Sequence, residues 1–472
     1  MSSVFAYSYF LYFWIRESSK RKQMKKIAIA ALALFLGACA EKEVSTQPAF
    51  PTAEGYGANT PGGRGGKVFV VSNLNDAGPG SLREAVEADG PRIVVFNVAG
   101  TIELQSNLDI NKPYITVAGQ TAPGGGICLK NYPLNVKGTH DVIVRGLKIR
   151  PGVDSGLEGS HLDGIEVSNA QQVIIDHCTI SWSSDEGINS WKGNKNVTVQ
   201  WCMMAEPLNN NLHAKGEHGF SASLGGEYST NHHNLFAHGK GRNPSIGGNH
   251  EHSTINLDFR NNVVFNYGTR TCDGKPRSIN MVNNYYKPGP ATNERIRSRI
   301  ARIDNASVYG FQGVWYVEGN AVEGYPEIST DNWNGGMEID RGLTEAEVRA
   351  TQPFDTPAIR MQAPDAAYAL VLKYVGAGPD RRDTQEARII AEVRSGRPTY
   401  GDGIIDSPEA VGGYPVLDAG TPWTDSDGDG IPDEWETSNG LNPNDPSDAG
   451  KTAKNGYTHI ENWFNSLIPE EI

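Results

Sequence analysis

The sequence predicts an all-β fold, a right-handed parallel β-helix in which short strands stack into a solenoid. Between residues 93 and 290, short runs rich in β-branched side chains alternate with turn residues, and no long amphipathic helix interrupts them. The runs superpose on one residue per repeat, and these residues are Leu147, Cys178, Cys202, Asn234, Asn262 and Asn284. Their spacings of 31, 24, 32, 28 and 22 residues are those expected of three-strand rungs with loops of variable length.

Two sets of equivalent side chains sharpen this prediction. Asn234, Asn262 and Asn284 are expected to stack as a ladder in which each amide bonds to the next rung. Cys178 and Cys202 are expected to stack in the same way, with their Cα atoms ~4.8 Å apart. That distance permits a disulfide, but side chains in register point the same way, which disfavours the required dihedral of roughly 90°. The sequence therefore favours two reduced thiols in the core over a bridge.

Length and charge limit the classes of function. The chain has 472 residues, of which 38% are hydrophobic and 21% charged, so it can fill a sizeable core. The formal net charge of −13 gives a nucleic-acid partner no electrostatic support. The 5 cysteines are too few for a disulfide scaffold at this length.

The amino terminus is typical of an export signal. Lys25 and Lys26 precede the apolar run 27–36, which is too short to span a membrane, and small residues follow it up to Cys39. A cysteine directly after Leu-Gly-Ala resembles the lipobox of bacterial lipoproteins, which implies that Cys39 is lipidated and becomes the first mature residue. An ordinary cleavage site beside a chance cysteine is the alternative. Met24 is the expected start, because the residues before it add nothing that a signal needs.

Composition divides the rest of the chain into segments. Residues rich in Thr, Pro, Gly and Ala follow the signal and predict a flexible tether. Helical spacing returns at 363–376 and 380–396, and such helices are expected to cap or cover the solenoid. The predicted segments are the lipoprotein signal 1–39, the tether 40–62, the β-helix core 63–290, further rungs with covering segments 291–420, and a calcium-loop tail 421–472.

A small EF-hand-like calcium loop is predicted in the tail. The stretch 425–436 matches the EF-hand pattern, in which oxygen ligands alternate, a glycine allows a sharp turn, and a glutamate closes the loop. The predicted ligands are Asp425, Asp427, Asp429, Ile431, Asp433 and Glu436. The ion is expected to be structural, because no general base or nucleophile lies nearby in the sequence. A solvated acidic turn is the alternative.

A second oxygen cluster is predicted on the outer face of the solenoid. Asp163 begins a strand one rung before Asp185, and Asn189 follows Asp185 across a short strand. Together they offer carboxylate and amide oxygens of the kind that Ca²⁺ prefers. Each acid alone is typical of a turn or a solvated rim, whereas their placement on neighbouring rungs predicts a metal site.

Three stretches resemble the pectate lyase superfamily. The stretch 163–177 is similar to the central signature of that family, and 228–244 is similar to its second signature, in which an arginine stands two residues before a proline. The stretch 115–127 resembles an amino-terminal motif of bacterial members. The resemblance extends over about residues 65 to 470 and implies a secreted enzyme of the parallel β-helix type.

The resemblance implies the metal ligands and the catalytic base. Asp163, Asp185 and Asn189 take the calcium-ligand positions of the family. Aspartate is usual where Asn189 stands, so one charge less implies weaker metal binding. Arg242 takes the position of the catalytic base, an unusual role because the pKa of arginine exceeds about 12. Nearby cations and alkaline pH favour its neutral form.

The resemblance gives less direct candidates for binding the carboxylate of the substrate. Lys215 is the nearest counterpart of the family's lysine, and His213 and His218 flank it. A second arginine often follows the base by about five residues, whereas this chain has Gly247 there. Contacts to the sugar are therefore expected to differ from those in the family.

These residues predict a calcium-dependent pectate lyase that cleaves α-1,4-polygalacturonate, or pectin, by β-elimination and leaves 4,5-unsaturated ends. The expected enzyme is a secreted monomer without a nucleic-acid partner. Its lipid would anchor it to the outer membrane or cell surface of a Gram-negative bacterium. His177 and His233 fall on strands within the stack and are expected to be hydrogen-bonding wall residues.

Three alternatives remain open from the sequence. A β-helix hydrolase of the polygalacturonase type needs paired aspartates and other signatures that are absent here. A pectin lyase acting on methylated substrate dispenses with calcium, and the two retained aspartates argue against it. A non-catalytic glycan-binding lipoprotein would need exposed aromatic side chains, for which Trp182, Trp191 and Trp315 are candidates. The arginine beside the acids favours the enzyme over the binder.

Overall fold

A computed structural model describes residues 47–156, 161–211 and 213–469. Within them, three parallel β-sheets lie side by side, and successive strands pass from one sheet to the next. Each strand pairs with its counterparts one turn earlier and one turn later. The strand 171–176, for example, pairs with the strand 140–145 on one side and with the strand 195–200 on the other. The prediction of a parallel β-helix is therefore confirmed.

The strands are short throughout the solenoid. Sheet 1 has ten strands, β1 (Lys67–Val71), β2 (Arg92–Phe96), β5 (Ile115–Ala118), β8 (His140–Arg145), β11 (Gln171–Asp176), β14 (Lys195–Gln200), β17 (Glu227–His232), β20 (Ile255–Arg260), β23 (Ser278–Val282) and β26 (Val314–Glu318). Sheet 2 has nine, β3 (Gly100–Glu103), β6 (Ile127–Lys130), β9 (Leu147–Arg150), β12 (Thr179–Ser181), β15 (Met203–Ala205), β18 (Leu235–Ala237), β21 (Val263–Phe265), β24 (Tyr285–Lys287) and β27 (Ala321–Val322). Sheet 3 has nine, β4 (Leu108–Ile110), β7 (Leu134–Lys137), β10 (Ile165–Ser168), β13 (Glu186–Ser190), β16 (Phe220–Leu224), β19 (Ser245–Ile246), β22 (Cys272–Gly274), β25 (Ala301–Ile303) and β28 (Met337–Ile339).

The core is built from apolar side chains that repeat at the same height in successive rungs. In sheet 1, Val173 pairs with Val142 on one side and with Val197 on the other, and all three are buried. Because side chains alternate between the faces of a strand, this register keeps one face apolar from rung to rung. β-Branched residues suit such a stack, which explains the runs seen in the sequence.

The predicted asparagine ladder is present and is longer than expected. The Asn234 amide donates to Asn262 Oδ1 at 3.0 Å, and Asn262 donates to Asn284 Oδ1 at 3.1 Å. The ladder continues to Asn320 and Asn332 at 2.8 and 2.9 Å. It satisfies buried amides at the turn between sheets 1 and 2, where an unpaired amide would cost stability.

Cys178 and Cys202 stack as reduced thiols in the core, as the sequence predicted. They lie in the rungs before the ladder, where the Cys178 N–H points at Cys202 Sγ over 3.5 Å. Both are free and buried, as are Cys128 and Cys272. No disulfide joins cysteines of the described residues.

Helices cover the sides and ends of the solenoid. They are α1 (Leu82–Glu87), α2 (Pro326–Thr330), α3 (Glu345–Val348), α4 (Pro364–Tyr374), α5 (Thr384–Ser395), α6 (Asp433–Asn439) and α7 (His459–Asn465). The helices predicted at 363–376 and 380–396 correspond to α4 and α5. Their apolar faces pack on the outside of sheet 2, for example Val371 and Ile389 against Leu235 and Phe265. Within the described part of the chain, no helix is both long enough and apolar enough to span a membrane.

The segment 47–62 is not the flexible tether that its composition predicted. Phe50 is 1% exposed and packs with Ile143 and Ile174 on the outer face of sheet 1. The Arg145 guanidinium lies 3.6 Å from the centroid of the Phe50 ring. The small residues of this segment therefore allow it to pack closely on the sheet. The prediction used composition alone and could not take account of the sheet that the segment covers. Residues 40–46, the signal and Cys39 lie outside the described residues.

The predicted EF-hand-like loop of the tail has a helix on one side only. Helix α6 follows the loop and begins at Asp433, whereas the residues from Gly412 to Thr424 form no helix before it. Apolar residues of the tail pack on sheet 1 near its first strands, where Ile431 and Ile460 join Ile93 and Val95 in one cluster. The tail thus covers the outer face of the amino-terminal rungs.

Candidate active-site groove

A row of polar side chains lies along the outer face of sheet 3. The register pairs Asn189 with Ser223, and Ser223 with Ser245 on the next rung. Their chain neighbours Ile188 and Ala222 pair with each other and are fully buried. Because alternate residues of a strand point to opposite faces, the apolar set faces the core and the polar set faces outward. This row forms the floor of a groove.

The groove has a cavity volume of about 390 Å³ and is open to solvent. Charged and aromatic residues make up half of its lining. The lining residues are Asp185, Glu186, Asn189, Trp191, Ser223, Arg242, Ser245, Ile246, Gly247, Gly248, Gly274, Lys275, Asp304 and Tyr309.

The predicted calcium ligands lie together at one end of the groove. Oxygen atoms of Asp163, Asp185 and Glu186 lie within 4.8 Å of one another. Asp163 Oδ1 accepts the Glu186 N–H at 3.0 Å, and its Oδ2 accepts Asn189 Nδ2 at 3.1 Å. Neighbouring rungs thus bring the predicted Asp163, Asp185 and Asn189 to one place, and Glu186 adds a carboxylate that the sequence reasoning had not assigned.

The charge of this cluster favours a cation. Burial raises the pKa of Asp163 well above its usual range, and the neighbouring Asp185 carboxylate raises it further. Asp163 is only 7% exposed, so its charge is poorly solvated. Hard oxygen donors with excess negative charge are the ligands that Ca²⁺ prefers. The residues present therefore fit a calcium ion.

Arg242 lies beside the acids, where its motif predicted a base. It precedes β19 and has a positive φ of 50°. Its Nη1 contacts Glu186 Oε1, and its guanidinium lies 4.3 Å from the centroid of the Phe220 ring. Burial lowers the pKa of Arg242 and the nearby Arg270 lowers it further, whereas Asp185 opposes them. The ion pair with Glu186 also favours the charged form.

Three histidines surround the Asp185 carboxylate. His218 Nε2 lies 3.1 Å from Asp185 Oδ1, and His213 Nε2 lies 3.4 Å from Asp185 Oδ2. His161 Nδ1 approaches the same carboxylate at 3.5 Å. His213 Nδ1 accepts the Lys215 N–H at 3.1 Å, so the proton of the neutral ring lies on Nε2 and points at Asp185. His213 and His218, expected to bind substrate, are buried and hold a metal-ligand candidate instead.

The cations of the groove differ from the sequence-based candidate. Lys215 is exposed and does not belong to the groove lining. Lys275 lines the groove, and Arg270 shares the Phe220 ring with Arg242, at 5.2 Å from its centroid. Neither was identified from the sequence, because both follow short strands whose place in the stack depends on long-range register. Both flank β22, three rungs of sheet 3 beyond Glu186 in β13, and this position is the signal that register could have supplied.

Trp191 occupies the space that the family's second arginine would need. A Cβ atom built on Gly247 would lie 2.4 Å from Trp191 Cγ, so only glycine fits beneath this ring. Trp191 is half-buried and lines the groove. Trp182 and Trp315, by contrast, are completely buried, and the expectation that they might be exposed sugar-binding rings is wrong. Their runs were too short to show which face they occupy.

His177 and His233 are buried, but they lie in the turns after β11 and β17 with positive φ angles of 47° and 54°, and not on strands as expected. They flank the Trp201 ring, with centroid distances of 6.0 and 4.3 Å. His177 Nδ1 lies 2.8 Å from Asp176 Oδ1, and His233 Nε2 lies 2.6 Å from Gln362 Oε1. Both are 1% exposed and are far from open solvent, so they are hydrogen-bonding wall residues.

Comparison with known proteins gives one consistent set of relatives. No family model matches the chain. A protein of Aspergillus flavus named probable pectate lyase C is 37% identical over 431 residues, which cover 89% of this chain and 94% of the relative. A protein of the same name from Aspergillus terreus is 37% identical over 93% of this chain and 98% of its own length. A probable pectate lyase of tomato, Solanum lycopersicum, is 29% identical over 32% of this chain and 42% of its own length.

Solved structures were also compared. The major allergen of cedar pollen has a TM-score of 0.48 and 19% identity, and the match covers 68% of this chain and 91% of that one. A Bacillus pectate lyase bound to trigalacturonate has a TM-score of 0.45 and 16% identity, over 68% of this chain and 98% of that one.

Proposed function

The chain belongs to the pectate lyase family, and we propose that it cleaves α-1,4-linked polygalacturonate by calcium-dependent β-elimination. One observation carries this proposal beyond the family name. Oxygen atoms of Asp163, Asp185 and Glu186 lie within 4.8 Å of one another at one end of an open groove, with Arg242 in contact with Glu186. An acid cluster and a half-buried arginine on one groove supply a cation site and a base for the same substrate unit.

The elimination removes a proton from C5 of a uronate and breaks the C4–O bond. Arg242 in its neutral form takes the C5 proton, and the C5–H electron pair becomes the C4=C5 double bond. The glycosidic oxygen leaves with the C4–O electron pair and takes a proton from water. A calcium ion held by Asp163, Asp185, Glu186 and Asn189 would supply a Lewis acid that stabilises charge on the uronate carboxylate.

The surroundings of Arg242 set its proton-transfer role. Burial and Arg270 favour the neutral guanidine, whereas Glu186 favours the charged form. A neutral base is therefore scarce at neutral pH, and the reaction is expected to accelerate as the pH rises. A cation that draws Glu186 towards itself would release Arg242 for the C5 proton.

Substrate carboxylates need further positive partners along the groove. Lys275 and Arg270 flank β22, on the rung after that of Arg242, and Lys275 lines the groove directly. We propose Lys275 for this role in preference to Lys215, which is exposed on the loop beside His213. Trp191 offers the groove an apolar face on which a sugar ring can stack.

We propose that the enzyme acts outside the cytoplasm, anchored by a lipid on Cys39. The support is the sequence of the signal alone, since these residues lie outside the described part of the chain. Growth of the expressing cells with a labelled fatty acid tests this proposal. Label should appear in the wild-type protein and be lost in Cys39→Ser, while label retained by that variant would contradict lipidation at this residue.

The activity test follows the ultraviolet absorbance of the unsaturated product during incubation with polygalacturonate at alkaline pH. The absorbance should rise with Ca²⁺ and stop rising with a chelator. Arg242→Ala should lower the rate about 10³-fold, since it removes the general base. Arg295→Ala, at an exposed arginine outside the groove, is the matched control and should keep the wild-type rate.

Other outcomes would select the remaining alternatives. New reducing ends without a rise in absorbance would indicate hydrolysis. Cleavage of methylated pectin that continues in chelator would indicate a pectin lyase. Binding of the polysaccharide without any cleavage would indicate a glycan-binding protein and contradict the proposed enzyme.

A further inference from the structure

Five acidic side chains of the tail come together away from the groove. Oxygen atoms of Asp425, Asp427 and Asp429 lie within 4.8 Å of one another. Asp429 also forms a second group of this size with Glu436 and Asp448. Asp448 lies outside the loop motif of 425–436, in the turn that precedes α7. The two groups share Asp429 and therefore form one cluster.

These carboxylates are buried without partners for their free oxygens. Glu436 is 0% exposed, Asp429 6% and Asp448 5%. Among the described residues, none donates a hydrogen bond to Asp429 Oδ2, to Asp448 Oδ1 or to either oxygen of Glu436. A buried, unpaired carboxylate is costly, and several side by side repel one another. Burial and the Asp429 carboxylate raise the pKa of Glu436 to about 7.

Hydrogen bonds inside the loop leave these oxygens pointing inward. Asp425 accepts the N–H groups of Gly428 and Gly430 at 2.8 and 3.0 Å. Asp429 Oδ1 accepts the Ile431 N–H at 2.9 Å, which leaves Oδ2 for the cluster. The loop is thus held in shape by its own backbone, while Asp427 Oδ2 and Asp429 Oδ2 accept no hydrogen bond from the described residues.

Asp433, predicted as a ligand from the EF-hand pattern, has another role. Its two oxygens accept the Ser426 N–H at 2.7 Å and the Ser426 hydroxyl at 2.6 Å. It stands at the first position of α6, where a carboxylate is also favoured by the helix end. Asp433 therefore closes the loop on the helix and does not belong to the cluster.

We propose that Asp425, Asp427, Asp429, Glu436 and Asp448 bind Ca²⁺, and that Asp448 ties the turn before α7 to the loop through the metal. Five carboxylates offer the number and hardness of ligands that Ca²⁺ takes. The site is independent of the groove and of its reaction. Because its ligands come from the loop, from α6 and from a separate turn, the cation fixes three parts of the tail relative to one another.

The bound cation acts as a clamp on the amino-terminal rungs. A Cβ atom on Gly430 would lie 2.6 Å from Val68 Cγ1, and this glycine has a φ of +93°, so the loop backbone lies directly on β1. Ile431 is completely buried in the cluster that contains Ile93 and Val95. Loss of the cation would let repulsion open the loop and uncover this face of sheet 1.

The test measures the melting temperature of the untagged full chain at pH 8 over a series of buffered free Ca²⁺ concentrations. The reference chain carries Asp163→Asn alone, which weakens binding in the groove and leaves the tail wild-type, and Asp448→Asn and Asp433→Asn are each added to this chain. Asp445→Asn is the matched control, because the Asp445 side chain is 40% exposed and bonds to Ser447 and Lys451, away from the cluster. Saturating Ca²⁺ should raise the melting temperature of the reference chain by about 3 °C or more.

Asp448→Asn should shift the midpoint of this calcium dependence at least about tenfold to higher concentration. It should also reverse the order of stability. In chelator the variant should melt above the reference chain, because one repelling charge is gone, and in Ca²⁺ it should melt below it. A residue with only a packing role would lower the melting temperature under both conditions.

Asp433→Asn and Asp445→Asn should leave the calcium midpoint within about twofold of the reference chain. An unchanged midpoint in Asp448→Asn, or an Asp433→Asn variant that loses calcium binding as strongly, would overturn the assignment of Asp448. Absence of any calcium effect on the melting temperature would overturn the site. Neither result bears on the elimination chemistry, which is measured separately.

Discussion

The groove and the tail each gather aspartates and glutamates, but they treat the charge differently. In the groove, Asp185 faces His213 and His218, and Glu186 contacts Arg242. In the tail, Glu436 and Asp448 lie among other carboxylates, and their free oxygens have no donor among the described residues. The groove is open to solvent, whereas the tail cluster is covered.

If both sites bind Ca²⁺ as proposed, this difference separates two uses of the ion. Cationic and imidazole neighbours stabilise the groove acids when no metal is bound, so a cation there can bind and leave together with the substrate. The tail acids lack such neighbours, so their cation contributes to folding itself. Loss of activity in a chelator therefore has two separable causes, and the variants below are chosen to separate them.

The largest expected effect sharpens the comparison on the groove side. Asp185→Asn removes a carboxylate that both the cation site and the histidines use, and kcat/KM should fall about a hundredfold or more. The part of the calcium dependence of the melting temperature that the tail produces should remain, since the tail is untouched. Polygalacturonate cleavage and thermal unfolding of the same samples check this.

The control for that variant is Asp109→Asn, on the outer face of sheet 3 at its first strand, where Asp109 accepts from Asn135 at 2.6 Å. It should leave activity unchanged. Equal losses of calcium response and activity in Asp185→Asn would show that the groove and the tail are not separate sites.

His232 and His233 form a third kind of polar cluster. They are buried, and they hydrogen-bond to each other and to the neutral amides of Gln200 and Gln362. Burial lowers the pKa of His233 to about 4 and that of His232 well below its usual value. Between pH 6.5 and 4 these histidines bind protons in the unfolded chain but not in the folded chain. Stability therefore falls as the pH falls through this window, and it is fully present above the window. For His233 alone, the loss from about pH 7.5 to pH 5 should be about 2 kcal/mol.

Urea unfolding at these two pH values measures that loss. His233→Asn should reduce the difference between them, and His250→Asn, at an exposed histidine, should leave it unchanged. Unfolding free energies that do not depend on pH in this window would contradict the neutral state assigned to the pair.

The smallest effect is expected at the wall of the groove. Trp191→Ala should raise KM roughly fivefold, about 1 kcal/mol of lost stacking on a sugar ring, with little change in kcat. Trp191→Phe should restore most of the binding, because an aromatic face remains. Steady-state kinetics on polygalacturonate separate the two constants, and a loss confined to kcat would indicate that the ring positions the acids instead.

Much of the solenoid could be predicted because its rungs repeat along the chain. The stacking of Cys178, Cys202 and Asn234 follows from local spacing, since each residue bonds to its counterpart one rung away. The proximity of the proposed metal ligands Asp163 and Asp185 could be predicted for the same reason, as both precede strands of adjacent rungs.

The residues that sequence reasoning missed are those whose role depends on distant parts of the chain. Asp448 joins Glu436 through a turn that no motif marks, and Lys275 reaches the groove from a later rung. Phe50 was assigned to a tether, because only the sheet beneath it shows that it is covered. Asp433 fits the EF-hand pattern, but both of its oxygens accept hydrogen bonds from Ser426, one from the N–H and one from the hydroxyl.

The tail also changes the topology of folding. Arg64 Nε donates to Glu461 Oε1 at 2.7 Å across 397 positions, whereas the bonds of the asparagine ladder from Asn234 to Asn320 span 22 to 36. Stacking of rungs is therefore a local process that can spread along the chain, and docking of the tail is a single long-range closure. The first and last parts of the described chain therefore lie close together in space. A circular permutant that joins these ends and opens an exposed loop should keep the same rungs.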